Sequence, residues 1–271
     1  LAEMRDRFTP ATFPAHLKPV EIFGVPYVYG VAESTGGQLY VVGCHPNLFD
    51  YFLPERWRRT PSWKLSLRSE IFYTVTKDNI HIVWRTSRVG ELPADSPDAR
   101  VGKIAEFGFN SPFEEIAIAD YLSKNGVPSV YMRAIYRTGS SKLVEYSDSS
   151  RFDSHADILA PDGAPVLCPD HDYITIRGYF NGPDHWVAEQ NGPLYRPLDL
   201  MQAVTNAIIT KEEKKQLFDI VRQRLKNIGF DGSLLEANDM LLAISRNGEF
   251  LRDEEGKPEV RICNFELIRK V

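Results

Sequence analysis

The sequence predicts a mixed α+β fold, with strands concentrated in the first half of the chain. Residues 19–30 and 38–42 are rich in Val and Tyr, and residues 79–86 alternate between apolar and polar, which is typical of strands. Two longer segments, which begin at Ser111 and Thr210, carry helix-capping residues followed by apolar residues at helical spacing. These observations predict an antiparallel sheet accompanied by a small number of helices.

The N-terminal region is predicted to be rich in strands. Residues 1–63 are interpreted as a β-rich leader whose strands are joined through Thr35-Gly36-Gly37, a sequence that suits a hairpin or short loop. Residues 64–75 and 79–86 form the next two runs, and the polar segment between them predicts an antiparallel hairpin. Two further strands are predicted at 127–136 and 173–179.

The first helix is predicted to begin at Ser111. Ser111-Pro112-Phe113-Glu114 has the capping-box pattern with proline at the first helical position, and Ile116 and Leu122 continue the apolar spacing. Asn125-Gly126 is a stop signal. The segment between these signals is long enough for about three turns.

The second helix has the strongest pattern in the chain. Thr210 and Glu213 form a capping box, and Gly229 can adopt the left-handed conformation that ends a helix. The residues that make its apolar stripe are Leu217, Ile220, Val221, Leu225 and Ile228. A shorter helix is predicted over 198–209, immediately before it.

The composition is that of an ordinary globular protein. Of the 271 residues, 43% are hydrophobic and 25% are charged, which suffices for one large domain or two lobes with substantial cores. The net charge of -5, without any basic run, argues against nucleic acid as the partner. No apolar run approaches the length of a membrane span. Three scattered cysteines (Cys44, Cys168 and Cys263) favour a reducing compartment, and therefore a cytoplasmic location.

The elements predicted in residues 210–266 follow one another in an order that could form a catalytic or binding site. A long helix is followed by an irregular loop that ends at Asn238 and by an apolar strand over 240–244. A second strand, over 258–266, ends in Asn264-Phe265-Glu266. This order resembles the catalytic core of the protein-kinase-like phosphotransferases, which contains a helix, a His-x-Asp-x-x-x-x-Asn loop, two strands and Asp-Phe-Gly. The resemblance implies that Asn238 and Asn264 hold a metal ion.

The resemblance begins near residue 64 and also covers the strands. Ile82-Val83-Trp84-Arg85 lies where the family has Val-Ala-Ile-Lys, which places Arg85 on the phosphate-binding lysine. Glu115 then takes the position of the helix glutamate that pairs with this lysine, and Glu114 is left to the helix cap. The resemblance thus implies cofactor binding by Arg85 and Glu115, with ATP and magnesium as the cofactors of an active form.

The fold that the resemblance implies has two lobes. A small lobe with an antiparallel sheet (64–180) and a reduced helical large lobe (181–271) follow the β-rich leader (1–63). A small molecule or a protein partner would bind in the cleft between these lobes. The sequence does not specify an oligomeric state.

The family's chemical positions are altered in this chain. Arg85 replaces the lysine, Ser233 falls on the catalytic aspartate, Asn264 is uncharged, and the hairpin at 64–86 contains no Gly-x-Gly. A serine hydroxyl does not accept a proton at neutral pH as a carboxylate does. These changes predict a kinase-like module with degenerate catalytic motifs, which acts by binding a ligand or partner.

Two alternatives stay open beside the binding module. The first is an atypical ATP-dependent phosphotransferase in which Asp231 or Glu236 serves as the base. The second is an unrelated α+β domain with a metal site within 153–172, because histidine and carboxylate side chains suit such ions, although their spacing matches no motif. The potential ligands of that site are Asp153, His155, Asp157, Cys168, Asp170, His171 and Asp172.

Overall fold

The computed structural model describes residues 13–66, 70–91, 100–141, 148–180 and 195–271. The fold is mixed α+β, with a large antiparallel sheet and few helices among these residues. The strands are β1 (Lys18–Ile22), β2 (Val25–Ala32), β3 (Gly37–Val42), β4 (Ser62–Lys64), β5 (Ile71–Val75), β6 (His81–Thr86), β7 (Met132–Arg137), β8 (Tyr173–Gly178), β9 (Tyr195–Asp199), β10 (Phe230–Asp231), β11 (Met240–Ser245), β12 (Arg261–Ile262) and β13 (Arg269–Lys270). The helices are α1 (Pro54–Trp57), α2 (Arg100–Phe107), α3 (Pro112–Lys124), α4 (Ser150–Ser154), α5 (Leu200–Thr205) and α6 (Lys211–Asn227), with 3-10 turns at Pro46–Phe52 and Ala237–Asp239.

The described residues divide into two compact units. The first unit comprises those within 1–117 and 132–177, and the second comprises those within 118–131 and 178–271. This division differs from the three segments expected from the sequence, whose boundaries were 63/64 and 180/181. The first twelve residues of the expected leader lie outside the described part of the chain.

One sheet of eight strands dominates the first unit. Its strand order is β1-β2-β3-β7-β8-β6-β5-β4, so the strands of the expected leader share a sheet with the strands of the expected small lobe. β3 pairs with β7 in the register Tyr40↔Ile135, and this pairing joins the two groups of strands. The predicted hairpin between β5 and β6 is present, with Phe72 opposite Trp84. A contact between distant strands decided this arrangement, and no local pattern in the sequence encodes it.

The two faces of this sheet carry separate hydrophobic cores. Side chains alternate between the faces along each strand, so in β7 Tyr136 packs in one core with Trp57 of α1, and Ile135 packs in the other. The second core contains Phe113, whose ring meets the ring of Tyr40 edge-on at 5.1 Å between centroids. Phe113 therefore anchors the start of α3 on the sheet.

The predicted cap of α3 is present. The Ser111 hydroxyl accepts the Glu114 backbone N–H at 3.2 Å, and the Glu114 carboxylate accepts the Ser111 N–H at 2.7 Å. These two bonds satisfy backbone donors that a helix start would otherwise leave unpaired. They fix the first turn of α3, which carries Glu115.

The second unit is built around α6 and a small sheet of order β12-β11-β9. The capping box of Thr210 and Glu213 is present, and the apolar stripe buries Val221 and Leu225. The 240–244 strand is confirmed as β11, whereas the 258–266 strand is only two residues long, as β12. A membrane-spanning helix is absent from the described residues, since none is both long and apolar enough.

The helix predicted over 198–209 is only partly correct. Its first residues belong to β9, because Leu198 pairs with Leu242 of β11 in the antiparallel sheet. The helix begins two residues later as α5, where the Asp199 carboxylate accepts the Gln202 N–H at 2.7 Å. Pairing with a distant strand therefore overrides the local helical spacing.

Candidate functional site

Arg85 and Glu115 form a buried ion pair in the first unit. Arg85 is near the end of β6, and its Nη2 donates to Oε2 of Glu115 in the first turn of α3. The Arg85 side chain is 11% exposed and that of Glu115 only 1%. The contact implied by the kinase-like resemblance is thus present, whereas cofactor binding by these two residues stays a prediction.

Glu114 and Glu115 have separate roles, although they are adjacent. Glu114 caps α3 and its Oε1 accepts from Nη1 of Arg151 at 2.9 Å. Glu115 points instead toward β6, because successive residues of a helix project about 100° apart. The first turn of α3 therefore offers one carboxylate to the cap and the other to Arg85.

Aromatic side chains share the sheet face of Arg85, and the sequence did not single them out. Tyr73 pairs with Val83 and Ile71 with Arg85, so alternation puts Tyr73 and Arg85 on one face. The Trp63 ring lies 5.5 Å from that of Tyr73 and is 54% exposed as a residue. This face combines exposed aromatic surface with a cation held by a carboxylate.

Tyr73 is itself held in place by a histidine. Its hydroxyl lies 2.6 Å from Nδ1 of His81, and the two rings stack with centroids 5.9 Å apart. Burial lowers the pKa of His81 and raises that of Tyr73. Both groups are therefore neutral at pH 7, and the sheet face has no charge at this position.

The expected catalytic loop lies in the second unit, where Asp231 closes a tight turn. Its Oδ1 accepts the Ser233 N–H at 2.7 Å and its Oδ2 accepts the Ser233 hydroxyl at 2.9 Å. Arg222 of α6 supports the loop, with Nη2 donating to the Ser233 carbonyl at 3.2 Å. The carboxylate of Asp231 is thus engaged by Ser233, the residue that the resemblance aligns with a catalytic aspartate.

Asp239 connects the two asparagines expected to bind metal. Its Oδ1 accepts from Nδ2 of Asn264 at 2.9 Å, and its Oδ2 accepts the Glu236 N–H at 2.8 Å. Oδ1 of Asn264 in turn accepts the Glu266 N–H at 3.1 Å. Asn264 is therefore held at both ends of its amide, whereas the neighbouring Asn238 is exposed.

The surroundings of Asp239 perturb its titration. Burial raises the pKa of its carboxyl, hydrogen bonds from Glu236 and Asn264 oppose this rise, and the nearby Glu266 and Glu236 carboxylates add to it. Perturbed carboxyl groups are concentrated at functional sites, although structural networks produce them too. The resemblance assigns the metal ion to Asn238 and Asn264, and the sequence places Asp239 beside them only as a nearby carboxylate that could compensate for the charge that Asn264 lacks.

The six expected site residues are distributed over both units. Arg85 and Glu115 belong to the first unit, and their contact brings together residues thirty positions apart. The other four belong to the second unit and lie in two short segments joined by the Asp239–Asn264 bond: they are Asp231, Glu236, Asn238 and Asn264.

The segment of the alternative metal site uses its polar groups in other contacts. His155 lies between the hydroxyls of Ser111 and Ser154, and Cys168 Sγ accepts from Nη1 of Arg137 at 3.3 Å. Burial raises the pKa of the Cys168 thiol. Within the described ranges, no three His, Cys, Asp or Glu side chains are grouped so that they could hold a metal ion.

No protein-family model matches this chain, and no curated protein matches it at a significant level.

Proposed function

We propose that the chain is a kinase-like module with degenerate catalytic motifs, which acts by binding a ligand or a protein partner. The observation that carries the proposal is the buried Arg85–Glu115 ion pair. In protein kinases a strand lysine pairs with a helix glutamate, and the lysine contacts the phosphates of ATP. Arg85 and Glu115 reproduce the connection between strand and helix, with a guanidinium in place of the ammonium.

Binding is favoured over catalysis because two chemical positions are occupied by groups engaged in structural bonds. Ser233 donates its hydroxyl to Asp231, and Asn264 is bonded to both Asp239 and Glu266. An uncharged amide also coordinates magnesium less strongly than the family's aspartate, because hard cations favour anionic oxygen. The module would therefore retain a ligand without transferring its phosphate efficiently.

The face around Arg85 suggests the chemistry of the ligand. A guanidinium recognises phosphate or carboxylate through paired hydrogen bonds. Tyr73 and the exposed Trp63 offer ring surfaces on the same face of the sheet, on which a base or another planar group can stack. A nucleotide combines both features, so ATP, with or without magnesium, is the first ligand to test.

The test is thermal unfolding in the presence of ATP, ADP and adenosine, each with and without magnesium. A ligand at a hundred times its dissociation constant stabilises the folded state by about 2.7 kcal/mol. We expect ATP and ADP to raise the melting temperature, adenosine to raise it less, and Arg85→Met to remove the difference between them. Arg59→Met is the matched control, because Arg59 is an exposed arginine of the same unit. A melting curve that no nucleotide moves would remove the nucleotide from the proposal, and an equal response in Arg85→Met would remove Arg85.

An active phosphotransferase is the second candidate. Asp239 favours it, because this carboxylate touches Asn264 and could supply the negative charge that Asn264 lacks. Phosphate release from ATP in the presence of magnesium would then require the polar residues around Asp239 in the second unit. Asn238→Ala should lower this turnover far more than it lowers stability, since Asn238 is exposed. Turnover that is absent from the wild-type protein, or unchanged in Asn238→Ala, would rule out this candidate.

A further inference from the structure

His155 is a buried histidine that the proposed site does not use. It directly follows α4 and is 2% exposed. Its Nε2 lies 2.8 Å from the hydroxyl of Ser111, the residue that caps α3. The Phe23 ring covers it edge-on at 5.1 Å between centroids. Arg151, on the same short helix, pairs with Glu114, so α4 and His155 make two side-chain contacts with the start of α3.

The directions of the hydrogen bonds around His155 can be assigned. The Ser154 hydroxyl donates to the Arg151 carbonyl at 3.1 Å, so its oxygen is left to accept the Nδ1 proton of His155 at 3.0 Å. Nε2 then carries no proton and accepts from the Ser111 hydroxyl, while the Ser111 oxygen accepts the Glu114 N–H. Each donor hydrogen in this series of hydrogen bonds is used once, and this pattern assigns to His155 a neutral imidazole with its proton on Nδ1.

Ser111 also forms a backbone hydrogen bond with Glu115. Its backbone carbonyl accepts the Glu115 N–H at 2.9 Å, the first bond of the helix to reach that residue. The hydroxyl and the carbonyl of Ser111 thus connect His155 to the backbone of Glu115. Glu115 is fully buried and has little room to adjust its side chain if its backbone moves.

We propose that His155 is a positioning residue for the Arg85–Glu115 pair, which it holds in place through the Ser111 cap of α3. His155 contributes the acceptor atom Nε2. The Ser111 hydroxyl donates to this atom, and the bond fixes the orientation of the Ser111 side chain. The importance of this position for ligand binding rests on the proposed function. The coupling between His155 and Glu115 is independent of any ligand and can be measured in the protein alone.

Two polar replacements separate the two nitrogens of His155. In His155→Gln the side-chain amide oxygen reaches the position of Nε2 and can accept from Ser111. In His155→Asn the shorter amide can still donate to Ser154 but falls short of Ser111. His16→Gln is the matched control, because His16 is an exposed histidine. Both variants at 155 retain a polar side chain, so neither leaves an apolar group among these hydroxyls.

The measurement is amide hydrogen exchange by NMR, with the Glu115 amide as the reporter and the β7 amides as the reference for general loss of stability. We expect His155→Asn to speed exchange at Glu115 by about tenfold relative to β7, the effect of losing one buried hydrogen bond. His155→Gln should restore the rate to nearly that of the wild type, and His16→Gln should leave it unchanged. The guanidinium protons of Arg85 should follow the same order.

Three results would overturn the inference: an unchanged Glu115 rate in His155→Asn, the absence of rescue by His155→Gln, or an equal acceleration at Glu115 and throughout β7. The last result would mean that His155 only stabilises the unit as a whole. The failure of the proposed function is distinguishable from these, because it would appear as the lack of any nucleotide effect on melting while the order at Glu115 is kept.

Discussion

Removing Arg85 from β6 should destabilise the protein far more than removing an exposed lysine from α3. In Arg85→Met the Glu115 carboxylate, which is 1% exposed, loses its ion pair with Arg85. Breaking a buried pair by deleting one partner costs about 3–5 kcal/mol. The lower figure fits here, because Arg85 is 11% exposed and is partly hydrated before the change. For a chain of this size, about 3 kcal/mol corresponds to a fall in melting temperature of roughly 6–12 °C.

The control lies on α3 itself. Lys124 pairs with Asp120 at the helix surface, with side-chain exposures of 58% and 35%, and such pairs contribute about 0.5 kcal/mol or less. Urea unfolding at pH 7, followed by tryptophan fluorescence, compares Arg85→Met with Lys124→Met. Trp57 of α1 and Trp84 of β6 report on the first unit, where their rings lie 5.5 Å apart. The double variant Arg85→Met/Glu115→Gln should cost less than the sum of its two single changes, since the second change removes the buried charge. Equal losses for Arg85→Met and Lys124→Met, or strict additivity in the double variant, would refute the reasoning.

Three further predictions concern pH, a helix cap and a turn. Burial lowers the pKa of His81 and His155 below 6.5, so their contribution to the free energy of unfolding is fully present above that pH and declines as the pH falls below it. Urea unfolding between pH 5 and 8 should show this decline, and the free energy of unfolding should depend less steeply on pH in His155→Gln. Thr210→Ala removes the cap of α6 and should cost about 1 kcal/mol, whereas Thr205→Ala at the exposed end of α5 should cost less in the same assay. Gly139→Ala would place a Cβ atom 1.9 Å from the Thr35 carbonyl oxygen and should lower the melting temperature, whereas Gly102→Ala, which meets no atom within 4 Å, should raise it slightly or leave it unchanged.

The two capped helices were predictable because their signals are local. The hydroxyl and carboxylate of a capping box lie three residues apart, as in Ser111 with Glu114 and Thr210 with Glu213, and the structure contains both. The β5–β6 hairpin was predictable for the same reason, since its strands are joined by a short turn. In each case the partners are close along the chain, so the sequence pattern contains the whole interaction.

The candidate site was only partly accessible from the sequence. The Arg85–Glu115 pair came from a family resemblance, because the alternation of β6 and the cap of α3 do not by themselves join these residues. The bonds of Asp239 with Asn264 and of His155 with Ser111 link positions 25 and 44 residues apart, and no local spacing predicts them. The roles of Asp231, Glu236, Asn238 and Asn264 in chemistry stay predictions.

Taken alone, the sequence determined the mixed α+β class, the start of each long helix, and the turn that separates β5 from β6. The tertiary structure decided that β3 pairs with β7 and that residues 195–199 form a strand. It also decided which buried polar side chains contact one another. The physical reason is the range of the interactions. Caps and turns satisfy backbone groups through near neighbours, whereas strand pairing and buried polar contacts depend on segments that meet only when the chain has folded.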